Sequence, residues 1–259
     1  MSNRSLPRLR RGAIAVWRRN VLVWRRLIGP AMLMNFGEPA LYLLGLGYGL
    51  GFFICELADM PYLMFLASGI IASSAMTTAS FEGMYSVYTR MVTQRTYEAI
   101  LATPLEVDDV IAGEMLWCGT KSLISGIAIL AVAAAIGVVE GWQALWVLPI
   151  VFLTGLCFAG PAIMMSAMAS NYDFFNYYFV LALTPMLLIS GVFYPVETLP
   201  EVMQSVIQIL PLPHAVALTR PLMAGLPLDA PLLHLSVLAG YAVASYYLAV
   251  VLVRRRLVV

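Results

Sequence analysis

A helix that crosses a bilayer needs about 20 consecutive apolar residues. Six stretches of this chain qualify, roughly 28–54, 62–89, 110–138, 143–169, 175–194 and 232–253. That repetition decides the class. Of 259 residues, 61% are hydrophobic and 11% charged, about half the charged share of a soluble domain. A soluble globule of this length would lack the polar residues to cover its surface. Cys55, Cys118 and Cys157 are odd in number and far apart, with no histidine beside them, which excludes a disulfide scaffold. The expected fold is an all-α polytopic membrane protein, a single domain over 1–259 with six transmembrane helices.

Charge placement orients the spans. Eight of the 15 basic residues lie in the first 26: Arg4, Arg8, Arg10, Arg11, Arg18, Arg19, Arg25 and Arg26. Arg254, Arg255 and Arg256 close the chain, and no acidic residue precedes Glu38. Basic flanks mark the cytoplasmic side, so both termini are expected there, which requires an even number of crossings. Arg90 and Arg95 put the 90–109 loop on the same side. The loops at 55–61 and 139–142 carry Glu56, Asp59 and Glu140 without Lys or Arg, and fall outside. A basic start before an apolar run imitates a secretory signal. The run from 28 to 54 exceeds the apolar core of such signals, about 7–15 residues, and is expected to be a retained first helix.

Two segments outside the spans have patterns of their own. Ile14, Trp17, Val21, Trp24 and Ile28 make one helical stripe flanked by Arg11, Arg18 and Arg25. This predicts an amphipathic helix over 10–27 lying in the membrane interface. The region 195–231 holds prolines at 195, 200, 211, 213, 221, 227 and 231, yet is mostly apolar, as at Val202, Met203, Val206, Ile207, Ile209 and Leu210. Broken apolar backbone must be shielded by protein or line a wet cavity. A short re-entrant or surface-lying helical hairpin is expected on the outer side.

Several apparent motifs dissolve on inspection. Gly119-Thr120-Lys121-Ser122 imitates a phosphate loop, but Thr120 stands where that loop needs glycine and no strand precedes it. Gly45, Gly47, Gly49 and Gly51 form small-x-x-x-small pairs suited to close helix contact. His214 and His234 have no metal-ligand spacing. Glu82 and Glu114 are carboxylates at or near membrane depth, where ionisable groups are paired or functional. Lys121 can reach Glu82 if the second and third spans pack together, and Glu114 lies near enough to its span's end to snorkel. Tyr172, Phe174, Phe175, Tyr177, Tyr178 and Phe179 read as an interfacial belt, or as a surface that stacks on sugars. In the 90–109 loop, Tyr97, Ile100, Leu101 and Leu105 share one face of a short helix broken near Pro104. Such a helix can lie on lipid or fit a groove on a soluble partner.

The stretch from Tyr97-Glu98-Ala99-Ile100-Leu101 to Ala102-Thr103-Pro104-Leu105 resembles the cytoplasmic coupling segment of the type 2 ABC exporter permeases. Leu44–Gly51, Asp173–Phe179 running to Ser190-Gly191-Val192-Phe193-Tyr194-Pro195, and Leu199–His214 with Arg220-Pro221-Leu222 match the same family. Their order and spacing look most like the NodJ-type lipo-oligosaccharide exporter permeases. The resemblance implies a homodimer of six-helix subunits in the bacterial inner membrane, served by two copies of a separate ABC ATPase subunit that carries ATP and Mg. The chain itself would hold no cofactor, catalytic group or metal. The ATPase would be met by Tyr97, Glu98, Ile100, Leu101, Thr103, Pro104 and Leu105. The first, second and fifth spans would border the path, and the 195–213 hairpin would shape its outer gate, with Tyr42, Tyr48, Glu82, Tyr177, Tyr178, Phe193 and Tyr194 as path or gate residues. The implied cargo is a lipid-linked or lipid-modified oligo- or polysaccharide, with membrane lipids around the chain and no nucleic acid. A drug- or lipid-exporting permease of the same family is the alternative. A secondary transporter and a membrane-embedded enzyme acting on lipid-linked sugars lie further off, since the sequence shows neither inverted repeats nor converging catalytic groups.

Overall fold

The computed structural model describes residues 11–257 except Leu27, Cys55, Asp59 and Glu140, and gives the backbone alone for 30–40 and Tyr48. Arg4, Arg8, Arg10, Asp59 and Glu140, all used in the charge argument, lie outside the described residues, as does the side chain of Tyr48. The helices are α1 (Gly12–Arg25), α2 (Ile28–Gly51), α3 (Tyr62–Thr93), α4 (Thr96–Leu101), α5 (Val107–Ala135), α6 (Val147–Met168), α7 (Phe174–Ile189), α8 (Glu201–Ile207), α9 (Pro211–Met223) and α10 (Pro231–Leu257). One two-residue hairpin, Glu56–Leu57 with Met60–Pro61, leads into α3.

Among the described residues, four stretches are long and apolar enough to cross a membrane: Tyr62–Thr93, Val107–Ala135, Trp142–Met168 and Pro231–Leu257. A fifth is added if α8 and α9, which meet at a bend of 89°, make one broken span. The side chains of the expected span at 28–54 lie partly outside the described residues: 28–51 is one helix, apolar over Leu41–Gly51. The expected span at 175–194 corresponds to α7, an apolar helix that ends at Ile189 and is too short to cross by itself. The chain is a multi-pass helical membrane protein.

α3 is the central helix. From Tyr62 to Ala79 most of its side chains are buried. Many are Ala, Ser or Gly, the small residues that let helices approach closely where lipid offers no hydrophobic driving force. At Gly69 a Cβ would stand 2.5 Å from the Val192 carbonyl oxygen, so only glycine lets the 190–192 turn sit there. Arg220 of α9 locks that turn. Its Nη2 donates to the Gly191 carbonyl at 2.6 Å, its Nε donates to Ser68 Oγ at 3.2 Å, and its guanidinium lies 3.6 Å from the Phe65 ring centre.

α1 packs along α5, and here the sequence reading needs correction. The buried residues are Ala13, Val16 and Asn20, whereas Ile14 of the expected stripe is exposed. A Cβ on Gly113 would lie 2.6 Å from Val16 Cβ. That closeness puts the small residues deepest, with one hydrogen-bonding residue, while Trp17, Val21 and Trp24 of the stripe are half-buried at the edge of the contact. Ile14, Leu22 and Val23 are left facing outward.

One end of the bundle gathers most of the basic residues that the structure describes, Arg220 and Lys121 being the exceptions. Arg254 near the end of α10 pairs with Asp108 at the start of α5, and Arg256 Nη1 donates to the carbonyls of Ser166, Ala167 and Ala169 at the end of α6. Gly12 abuts Leu105 and Asp109. Arg95, left-handed at φ 50°, turns the chain from α3 into α4 at this same end.

Candidate functional site

The site is the α3–α5 seam together with the segment that joins them. Glu106 N–H donates to Asp109 Oδ2 at 3.1 Å, which caps the start of α5. One helix turn beyond Asp109, α5 directs Glu114 inward, and further along it carries Trp117 and Lys121. From α3 come Glu82 and Arg90. Eight residues of regular α-helix would leave those two about 80° apart. Two wide π-helical turns, Glu82–Ser86 and Thr89–Thr93, change that register, and both side chains meet α5.

The result is a charge-balanced cluster. Arg90 Nη2 lies 2.7 Å from Glu114 Oε2 and 3.2 Å from Glu82 Oε1. Lys121 Nζ lies 3.2 Å from Glu82 Oε2. Trp117 Nε1–H donates to Glu82 Oε1 at 2.8 Å, and Asn20 Nδ2–H of α1 donates to Glu114 Oε2 at 3.0 Å. Two carboxylates face two cations. Burial of an unpaired ion costs several kcal/mol, so pairing is what allows these groups inside. Trp24 of α1 stacks edge-on against Trp117, ring centres 6.0 Å apart, and Trp17 Nε1–H donates to Thr120 Oγ1 at 2.9 Å. α1, α3 and α5 are thereby tied at one level.

Tyr97 of α4 completes the arrangement. It is wholly buried, and burial first, then the Glu114 carboxylate, push its phenol well above the ordinary value of 10. The expectation that Tyr97 anchors a soluble partner is therefore corrected: its ring is spent inside the chain. Ile100, Leu101 and Leu105 are half-buried against the same core, while Glu98, Ala99, Ala102, Thr103 and Pro104 are exposed. The apolar stripe is real but is turned towards the protein's own bundle, and the outward face is the small and polar one.

The other expected residues are dispersed. Glu82 lies in the α3–α5 seam at 7% exposure, held by Arg90, Lys121 and Trp117, and not on an open path. Glu114, expected to snorkel, is wholly buried, because Arg90 and Asn20 supply its partners inside. Tyr42 and Tyr177 are exposed, and Tyr178, Phe193 and Tyr194 are half-buried. Tyr172 and Phe175 pack with Tyr85 and Tyr88 of α3, Tyr85 and Tyr172 lying parallel with centres 6.1 Å apart. Gly119–Ser122 is helical, and Ser122 Oγ donates to the Ala75 carbonyl. Sequence reasoning placed Arg90 in the 90–109 loop, whereas it lies in the last turns of α3 and joins the buried cluster, and it missed Asn20 and Trp117. For Asn20 the signal was present, since Ala13, Val16 and Asn20 recur at helical spacing. It also missed the two histidines meeting: their Nδ1 atoms are 2.7 Å apart, and His214 Nε2–H donates to the Gln208 carbonyl at 2.9 Å.

The fold and this seam define a helical, multi-pass membrane protein with a buried ionic cluster. The model of the ABC-2 type transporter family matches residues 9–224, and the chain belongs to that family. It is 43% identical to Nodulation protein J of Rhizobium meliloti (strain 1021) over 94% of this chain and 93% of that protein. To Nodulation protein J of Neorhizobium galegae it is 40% identical over 99% of this chain and 98% of that protein. To the inner membrane transport permease YadH of Escherichia coli (strain K12) it is 24% identical, over 93% and 94% respectively.

Proposed function

We propose that this chain is the membrane subunit of an ATP-driven exporter. On this reading it works as a homodimer in the bacterial inner membrane, with six crossings per copy and both termini inside. Two separate ATPase subunits dock below it. The 96–105 segment is the coupling element, and its outward face, Glu98, Ala99, Ala102, Thr103 and Pro104, is the docking surface. The observation that carries the reading is the placement of that segment. It lies between the two longest buried helices, at the end where Arg95 and Arg254–Arg256 gather, with Tyr97 seated beside a buried ionic cluster. A push on the outward face reaches α3, α5 and α1 together.

The cargo we assign is a lipid-linked or lipid-modified saccharide carried outward. Exposed Tyr172 just before α7 and Tyr177 on it offer flat rings with hydroxyls, and exposed Val180 and Leu181 follow along α7. A molecule with a sugar head and an acyl tail matches that succession. The bent α8–α9 pair then shapes the outer mouth.

The test uses Ala102→Asp, which changes an exposed residue and leaves the buried face alone. A carboxylate trapped without a partner in the contact around Ala102 costs several kcal/mol, against about 8 kcal/mol for a micromolar complex. The tagged permease, co-expressed with the ABC ATPase subunit that the reading calls for, should retain that ATPase on purification, and the variant should lose it while staying folded in the membrane. Retention of the ATPase by the variant at the unmodified level refutes the docking assignment.

A further inference from the structure

We propose that the outward side of α1 is a binding site for the headgroup of an anionic phospholipid. Arg11, Ile14, Ala15, Arg18, Arg19 and Leu22 line an open depression of about 520 Å³. Three guanidinium groups rim it, and Ile14 and Leu22, both more than half exposed, form an apolar floor that Val23 extends. Among the described residues none of the three arginines is ion-paired with a carboxylate, and the sequence holds no acid before Glu38. The rim carries a net positive charge, tempered at Arg19 by Glu114 behind Asn20.

Residue choice narrows the ligand. All the basic residues of the first 26 are arginine, and the chain's single lysine, Lys121, is committed to Glu82. Arginine's planar fork fits a phosphate in two-point contact, which an ammonium does not. A free anion has no use for the exposed Ile14 and Leu22. A phospholipid brings a phosphodiester for the rim and the upper acyl chain for the floor, as expected of an amphipathic helix lying at headgroup depth. The other face of α1 is already committed to α5, so the depression is not a seat for the chain's own helices.

The site is wired to the interior. Arg19 Nη1–H donates to Asn20 Oδ1 at 3.1 Å, and Asn20 donates in turn to Glu114. A phosphate engaging Arg19 lies two hydrogen bonds from the buried cluster, so bound lipid stabilises the α1–α5 seam. The inference uses the interfacial placement of α1 and not the export reading, and loss of ATPase docking would leave it standing.

The experiment is native mass spectrometry of the full chain, delipidated in detergent and titrated with phosphatidylglycerol or with phosphatidylcholine of identical chains. An arginine near an anionic surface contributes on the order of fivefold in affinity. Phosphatidylglycerol should be preferred by about 25-fold or more, and the double variant Arg11→Gln/Arg18→Gln should lose about that factor while melting like the parent. Arg255→Gln, an exposed arginine at the same end but outside the depression, should keep the preference. Equal binding of the two lipids, persistence of the preference in the double variant, or displacement of the lipid by millimolar inorganic phosphate would each overturn the proposal.

Discussion

Arg90→Gln removes the one cation shared by both buried carboxylates, and the structure says which of the two suffers. Glu82 keeps Lys121 at 3.2 Å and the Trp117 indole at 2.8 Å. Glu114 has no exposed surface and keeps no cation in direct contact, only neutral neighbours, the Asn20 amide and the Tyr97 hydroxyl. The penalty therefore falls on Glu114 as a buried charge stripped of its counter-ion, about 3–5 kcal/mol. For a chain of this size each kcal/mol moves the melting midpoint by roughly 2–4 °C, so the variant should melt roughly 6–20 °C below the parent. The second substitution Glu114→Gln removes the orphaned charge and leaves Glu82–Lys121 balanced. Arg90→Gln/Glu114→Gln should thus be more stable than Arg90→Gln, with a coupling near the upper end of contacting pairs, about 3 kcal/mol. Trp24 and Trp117 stack beside the cluster, so tryptophan fluorescence of the purified protein in detergent reports the melt where the change is made. The reasoning fails if Arg90→Gln melts within roughly 2 °C of the parent, or if the double variant is no more stable than the single.

Tyr97→Ala empties a wholly buried site, at a cost of about 3–5 kcal/mol for an aromatic side chain, and should free the 95–105 segment so that trypsin cuts after Arg95 faster than in the parent. Gly69→Ala places a Cβ 2.5 Å from the Val192 carbonyl oxygen and should lower stability by about 1–3 kcal/mol in the same thermal melts. By contrast Gly45→Ala and Gly49→Ala meet nothing within 4 Å, so they should leave the melting point of the single chain unchanged while reducing crosslinking between two copies.

The membrane class was legible because apolar length needs no tertiary information, and the clustering of arginine needs none either. The contact of Lys121 with Glu82 was legible conditionally, and the packing of α3 on α5 supplies the condition. The central role of Arg90 was not legible, because the eight-residue spacing from Glu82 joins one face only through wide turns, and no residue type announces those. The stripe Tyr97, Ile100, Leu101 and Leu105 marks an apolar face wherever that face goes. Whether it meets a partner or the chain's own core depends on what α3 and α5 leave open beside Glu114, which periodicity does not contain. α1 was read as an interfacial helix from its apolar stripe, and that stripe did not announce the neighbouring face, where the tight approach to Gly113 buries Ala13 and Val16 against α5.

A wide turn is an α-helix carrying one residue more than its hydrogen-bond ladder requires, and α3 carries two, at Glu82–Ser86 and at Thr89–Thr93. Excising one residue from such a turn lets the ladder close again, but swings everything beyond it by about 100° and draws it in by about 1.5 Å. Loss of Ser86 moves Arg90 and all that follows. Loss of Val92 leaves Arg90 in place and carries Tyr97 away from Glu114. The two spare residues act as separate adjusting screws, one for the ionic cluster and one for the segment beneath it. Single-codon insertions and deletions here, and not side-chain replacements alone, are a route by which relatives of this chain can retime the link between the two.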